Sequence, residues 1–324
     1  MALTLPIHGG DLMAAEARWG RPAAGWLDLS TGINPWPYPV GSLSADVWHR
    51  LPGAVEEGAL RAAAAAAYGC RPDQVLATPG SSAVIQALAR SQSPRRVAVV
   101  SPTYGEHAAA WALAGHAVSE VSVPADADGA DVLVLVNPNN PDGRTHAPAD
   151  ILALTEHFPL VVVDEAFGEV MPHLSVAGQL RPGLVVLHSF GKFYGLAGLR
   201  LGFCLGMPDL LAALAAQLGP WPVSGPALAI GATALADRVW AEASRAHLAH
   251  AAARLDTVLA AAGLRAVGGT SLFRLVEHPD AAGLYDRLGR AGILVRAFGH
   301  RPTWLRFGLP GGEAALRRLE QALS

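Results

Sequence analysis

The sequence predicts an α/β layer fold with a mainly parallel sheet, and three observations carry that expectation. Short β-branched runs alternate with helical stretches after residue 70. Most of these runs are apolar throughout, as strands covered on both faces are. Polar residues and glycines collect just after the runs end, where open parallel sheets bind ligands.

Residues 1–40, rich in glycine and proline, read as an extended N-terminal arm. Residues 41–222 read as a large domain. Within it the alanine run Ala62–Ala67 follows Arg61 and reads as the inside of a soluble helix. Seven strands are expected, at Val75–Thr78, Val97–Val100, Ala117–Val123, Val132–Asn137, Leu160–Asp164, Leu184–Ser189 and Arg200–Leu205. Helices are expected between several of them, at Ser81–Ser91, Tyr104–Ala114 and Pro148–His157. That alternation is the pattern of stacked βα units.

After Pro220 the texture changes, and residues 223–324 read as a smaller α+β domain. An alanine-rich helical tract runs from Pro226 to Ala262. Strand signals follow at Ser271–Val276, Ile293–Arg296 and Thr303–Gly308, with helices at Ala281–Ala291 and Gly312–Leu323.

The bulk numbers bound the function. With 324 residues the chain can bury a large core and form two domains. Charged residues make up 16% and the net charge is −3, so nothing points to nucleic acid or an anionic membrane. Two cysteines, Cys70 and Cys204, make neither a disulfide framework nor a metal-site spacing, so they read as buried thiols and no metal is expected. No signal-peptide pattern and no long uncharged apolar run is present, and a cytoplasmic enzyme is expected.

The strand ends are where the chemistry gathers. After Val75–Thr78 comes PGSSAVIQ, residues 79–86. Gly80, Ser81 and Ser82 there either cradle a phosphate at a helix start or supply an ordinary cap. After Val97–Val100 comes Tyr104, a ring for a ligand or for the core. After Val132–Val136 comes NPNNPDG, whose asparagines serve the turn or, at Asn140, a ligand. After Leu160–Val163 comes DEAF, which leaves Asp164 at the end of an apolar strand, where a carboxylate needs a partner. After Leu184–Leu187 comes HSFGKFYGLAGLRLGF, residues 188–203, which brings Ser189, Lys192 and Arg200. Each feature is weak alone, but four of these strand ends bring a phosphate cradle, an amide, a carboxylate and a lysine to one place.

A desolvated lysine can lose its proton and attack a carbonyl. A carboxylate facing a pyridine nitrogen keeps it protonated and makes the ring an electron sink. A phosphate cradle, a cation and an amide for a phenolic oxygen complete the set that pyridoxal 5′-phosphate (PLP) requires.

The sequence resembles the fold-type I PLP enzymes of the class I/II aminotransferase superfamily, from about residue 30 to 308. NPNNPDG resembles the superfamily's NNPTG motif, DEAF its DEAY motif, and SFGKFYGLAGLRLGF its SxxK…R motif. The resemblance implies the roles of these residues. Lys192 would carry the cofactor covalently and move protons. Asp164 would pair with the ring nitrogen, Asn140 with the phenolic oxygen, and Tyr104 would stack on the ring. Gly80, Ser81, Ser82, Ser189 and Arg200 would hold the phosphate. Tyr68 matches a tyrosine that reaches the neighbouring subunit's cofactor, which implies a homodimer with shared active sites. One departure stands out: Phe167 occupies the place of a tyrosine, so one hydrogen bond to the phenolic oxygen is missing.

The arm narrows the reaction. HGGDL at 8–12, LDLSTGINPWPYP at 27–39 and DEAF resemble the family of PLP-dependent decarboxylases that act on threonine phosphate in cobalamin biosynthesis. Histidinol-phosphate aminotransferases are a related family and an alternative. A non-catalytic PLP-fold binding domain is another, against which the joint presence of Lys192, Asp164, Asn140 and Arg200 argues. A small phosphorylated amino acid would bind through His8, Gly32, Asn34, Asn140, Arg296 and Arg306. His8 would otherwise be a capping or core residue. Arg296 and Arg306 lie in apolar strand-like runs, where two guanidiniums need anions or internal salt bridges.

Overall fold

The structure is a computed structural model that describes residues 8–324. The chain divides into two compact units. One comprises Pro37–Asn140 and Arg144–Ala241; the other comprises the residues up to Trp36, Pro141–Gly143 and Glu242–Ser324. The first two residues of strand structure are β1 (Leu27–Asp28), in the second of these units.

The larger unit is built on one seven-stranded sheet. Its strands are β2 (Val75–Thr78), β3 (Arg96–Val100), β4 (Ala117–Val121), β5 (Val132–Val136), β6 (Leu160–Asp164), β7 (Leu184–Ser189) and β8 (Gly202–Leu205). The order is β2-β8-β7-β6-β5-β3-β4. All pairings among β3 to β7 are parallel, whereas β8 runs antiparallel to both β7 and β2. The α/β fold with a mainly parallel seven-stranded sheet is therefore as expected.

Composition explains the positions. β5 and β6 are buried at every residue, which suits their unbroken apolar runs VLVLV and LVVVD. β4 is an edge strand with Ser119 and Glu120 outward, and polar side chains of that kind discourage edge-to-edge pairing. Helix Ser81–Ser91 buries Val84, Ile85 and Leu88 with Trp111, Val99, Val134 and Leu187 in one cluster. Each such side chain contributes roughly 1.5–3 kcal/mol through burial.

Four strand ends in this sheet differ from expectation, β3 only by starting one residue early, at Arg96. Pro124 opens a 3₁₀ turn and stops β4 at Val121. Asn137 leaves the sheet because both ends of its amide bond the Pro138–His146 loop. Arg200 takes a left-handed conformation, φ 52, so β8 starts only at Gly202. Helix Pro208–Leu218, between Gly206 and Gly219, was not among the expected elements. Cys204 is buried in β8, its thiol pushed up to about 12 by burial, whereas Cys70 is only half-buried.

The expected domain boundaries shift. The long alanine tract is two helices, Gly225–Ala236 and Arg238–Ala261, broken where Asp237 accepts from the Trp240 N–H. The first of these belongs with the seven-stranded sheet, because Gly231 lets it close on Leu60 and Leu201.

The second unit contains a four-stranded antiparallel sheet of β9 (Ala266–Thr270), β10 (Phe273–Glu277), β12 (Arg296–Phe298) and β13 (Arg301–Gly308), in the order β12-β13-β10-β9. The short β11 (Ile293–Leu294) pairs in parallel with β1. That pairing, continued by Leu29 N–H to Leu294, ties the arm to this unit. The arm is not simply extended: Asp11 caps a helix over Leu12–Trp19. β9, AVGGT, escaped prediction because its two glycines dilute the strand signal; a Cβ at Gly268 would overlap the Asp142 carbonyl. Among the described residues no helix is long and apolar enough to cross a membrane.

Candidate active site

The carboxyl ends of β2, β5, β6 and β7 deliver their side chains to one pocket. The pocket joins Ser81, Ser82, Tyr104, Asn140, Asp164, Ser189, Lys192 and Arg200, eight of the residues expected there, with Val136, Ala166 and Phe167.

One end of the pocket is a cradle for an anion. β2 turns at Gly80, φ +83, into helix Ser81–Ser91, whose first N–H groups are unpaired within the helix. A side chain at Gly80 would meet Arg200 Nη2 at 2.6 Å, so this glycine makes room for the guanidinium. Gly202 is equally constrained, since a Cβ there would lie 2.5 Å from the Ser81 nitrogen. The left-handed Arg200 also donates from Nη1 to the Ala197 carbonyl at 3.2 Å, which orients the guanidinium. A helix N-terminus, two serine hydroxyls and a forked cation make a phosphate site.

Asp164 closes β6 and is 2% exposed. Its Oδ1 accepts from the Ala166 N–H at 2.8 Å, and its Oδ2 lies 2.8 Å from His107 Nε2. His107, 1% exposed, was not singled out from the sequence. It follows Tyr104 by three residues and its backbone N–H bonds the Tyr104 carbonyl, but nothing nearby in sequence points to Asp164. The Tyr104 phenol is held above its usual pKa by burial, then by the Glu106 charge, while a Ser82 hydrogen bond works against both. Tyr104 is therefore a neutral ring over the pocket.

The structure separates the three asparagines. Asn137 spends its amide on His146 and Leu174, and Asn139 on Thr103 and Pro102. Both hold the turn, and Asn140 faces the pocket. Phe167 is buried, with its ring centroid 5.7 Å from Lys192 Nζ. Gly191 lets the lysine-bearing turn fold tightly, since a Cβ would sit 2.7 Å from Ala197 Cα.

Tyr68 is not among the pocket residues. Its hydroxyl donates to Glu169 Oε1 at 3.2 Å and its ring stacks on His188 at 3.9 Å, within the same chain.

The remaining candidates lie in the other unit. Gly9 packs so closely on the Ser30 carbonyl that a Cβ would overlap it, and the Gly10 N–H bonds Ser30 Oγ at 2.7 Å. His8 precedes them and is exposed; Gly32 is buried. The Asn34 amide is shared between Trp36 N–H and Ser244 Oγ. Arg306 is buried, donates to the Ser30 carbonyl at 2.9 Å and lies over the Phe273 ring. It faces Arg296 across the β12–β13 pair. Burial, then the Arg296 charge, pushes Arg306 down to about 9.

The larger unit's pocket suits PLP: its lining offers groups for a phosphate, a desolvated carboxylate, an aromatic face, an amide and a lysine. A Cβ at Gly80 would displace the cation of that cradle, so the backbone itself is shaped for an anion.

Comparison with known proteins agrees. The profile of the "Aminotransferase class I and II" family matches residues 42–323. A threonine-phosphate decarboxylase of Pseudomonas aeruginosa is 48% identical over 324 residues, covering 98% of this chain and 96% of that one. One from Sinorhizobium sp. is 47% identical, covering 98% and 97%. The structure of histidinol-phosphate aminotransferase from Sinorhizobium meliloti, in complex with pyridoxal 5′-phosphate, superposes with a TM-score of 0.83 at 22% identity, over 99% of this chain and 94% of that one. The chain belongs to the class I and II aminotransferase family.

Proposed function

We propose that this chain is a PLP-dependent decarboxylase that converts L-threonine O-3-phosphate to (R)-1-amino-2-propanol O-2-phosphate and CO₂, in the cytoplasm, as a step of cobalamin biosynthesis. The observation that carries the reading is near-full-length similarity to two threonine-phosphate decarboxylases in a chain that keeps the whole pocket.

PLP, when bound, supplies a carbonyl that takes up an amine and a ring that accepts the electron pair left by departing CO₂. The chain supplies the rest. Ser81, Ser82, Ser189 and Arg200 hold the phosphate. Asp164 would face the ring nitrogen, held in place by His107 and the Ala166 N–H. Tyr104 covers one ring face, and Asn140 donates to the phenolic oxygen. Phe167 leaves that oxygen one donor short. Lys192 Nζ would carry the cofactor and would hold and move a proton at the substrate Cα.

Arg296 and Arg306, which face each other across the β12–β13 pair, take the two substrate anions in this reading. His8, Gly32 and Asn34 line the same substrate group in this reading. The working form is a homodimer. In support, Val40, Trp48, Leu51 and Val55 are large apolar side chains exposed within one short stretch.

The test is direct. Purified protein with PLP and L-threonine O-3-phosphate, and no keto acid, should release CO₂, and Lys192→Ala should lose that activity by orders of magnitude. Absence of CO₂, together with amino transfer from histidinol phosphate to 2-oxoglutarate, would replace this reading by the aminotransferase.

A further inference from the structure

Two pocket residues have ionisable neighbours in sequence that the chemistry above does not use. Glu165 follows Asp164, and His188 precedes Ser189. His188 is 2% exposed and Glu165 is fully buried. The imidazole lies between two carboxylates, with Nε2 3.4 Å from Glu165 Oε2 and Nδ1 3.3 Å from Glu169 Oε1. Both contacts are off the hydrogen-bond line, so charge rather than direction carries them. The other neighbours of the carboxylates are donors. Ser175 Oγ and the Val176 N–H bond Glu165, and the Tyr68 hydroxyl bonds Glu169.

That arrangement fixes a proton count. A neutral imidazole has one ring nitrogen with a lone pair and no hydrogen. Here each ring nitrogen faces a carboxylate oxygen, so a neutral ring would set one lone pair against another in a buried site. The repulsion disappears when both nitrogens carry hydrogen; burial raises the Glu165 carboxyl, but His188 and the Ser175 and Val176 donors oppose that and favour the proton on the ring.

We propose that His188 is held as an imidazolium between Glu165 and Glu169 and acts as a positioning residue, locking the ends of β6 and β7 on which Asp164, Ser189 and Lys192 are mounted. The link to those three side chains rests on the PLP reading; the charge state of His188 does not. The groups facing the ring are Glu165 and Asp164 from the β6 end, Glu169 from the 3₁₀ turn Gly168–Val170, and Tyr68 from helix Ala54–Tyr68, with Phe203 of β8 packed on Tyr68. Burial works against the charged ring, but Glu169, then Glu165 and Asp164, outweigh it and raise the His188 pKa. Tyr68, raised well above its usual value by burial and then by Glu169, remains a donor.

The charge state is read without cofactor, by ¹⁵N NMR of the histidine rings in the apo-protein, with His188→Gln identifying the signal. His188 should stay doubly protonated to a pH above the ordinary histidine range. Glu169→Gln, which leaves the fold's backbone contacts in place, should lower that midpoint. A neutral His188 ring at pH 7, or a midpoint unmoved by Glu169→Gln, overturns the proposal. Positioning is read by equilibrium PLP binding and by the pH midpoint of bound-cofactor absorbance. His188→Gln should weaken PLP by roughly tenfold (~1.4 kcal/mol) and move the absorbance midpoint, and His188→Arg, which keeps the charge, should restore both. Unchanged affinity and midpoint in His188→Gln would show that the cluster is merely structural. Failure of the wild-type protein to bind PLP would instead remove the cofactor reading and leave the His188 charge state standing.

Discussion

Arg306 on β13 faces Arg296 on β12, and the two guanidiniums share a small patch of sheet with the buried Ser30 carbonyl. Taking a cation out of water beside another cation is costly unless an anion completes the group. Serving a substrate anion and serving the fold make different demands on the same side chain. Arg306→Ala should therefore raise the KM for L-threonine O-3-phosphate by ~30-fold or more while PLP affinity changes little, the scale of losing one partner of a buried charge pair. Steady-state kinetics alongside PLP titration measures this. Equal loss of both affinities would mark Arg306 as a structural residue. At this scale the sequence was informative about side chains that touch the proposed ligands and silent about their supports. Lys192, Asp164, Asn140 and Arg200 announced themselves at strand ends. His107 sits 57 residues from Asp164, and Glu165 and Glu169 reach His188 only after β6 and β7 pair. Nothing local in sequence encodes such meetings.

At the scale of elements, the start of β8 and the start of helix Ser81–Ser91 form one construction. β8 runs against its neighbours, so its first residue, Gly202, reaches the same sheet edge at which β2 ends. A Cβ on Gly202 would lie 2.5 Å from the Ser81 nitrogen and 2.7 Å from the Gly80 carbonyl carbon, and backbone on both sides would have to move. Gly202→Ala should cost ~1–3 kcal/mol of stability through overpacking. It should also weaken the hold on PLP, because the displaced groups are the phosphate cradle. Denaturant unfolding and PLP titration check the two effects. A fully stable variant with unaltered affinity would show that the helix start retreats at no cost. Element identity was mostly legible, with β2, β6 and β7 bounded in sequence as they are in the structure. The misses share a cause: local signals cannot see what a segment packs on. The arm's Leu12–Trp19 forms a helix capped by Asp11, and glycine-rich β9 is a strand because β10 pairs with it.

For the whole molecule, the open question is assembly. Trp48 and Leu51 are each 66% exposed and Val55 is 82% exposed, close together in sequence, whereas other exposed large apolar side chains such as Met13, Leu113, Trp221 and Val239 stand far apart. Exposed apolar groups clustered within one short stretch mark an interaction surface more often than chance. If that stretch joins two copies, light scattering should report twice the 33.6 kDa chain mass, and Val55→Asp should shift the protein toward monomer at micromolar concentration. A monomeric wild-type protein with full decarboxylase activity would remove the homodimer from the reading. The domain boundaries also belong to this scale. Composition placed one at residue 222, but packing of Gly225–Ala236 on Ala54–Tyr68 through Gly231 keeps that helix with the larger unit.

By itself the sequence determined the α/β layering, the strands and the set of groups at their ends. These depend on periodicity and on where apolar runs stop, both of which are local. Only the tertiary structure decided what Asn137 and Asn139 bond in the turn, that Arg200 is left-handed beside Gly80, and that His188 lies between two carboxylates. Those facts follow from strand order and close packing, which bring together residues that sequence distance keeps apart.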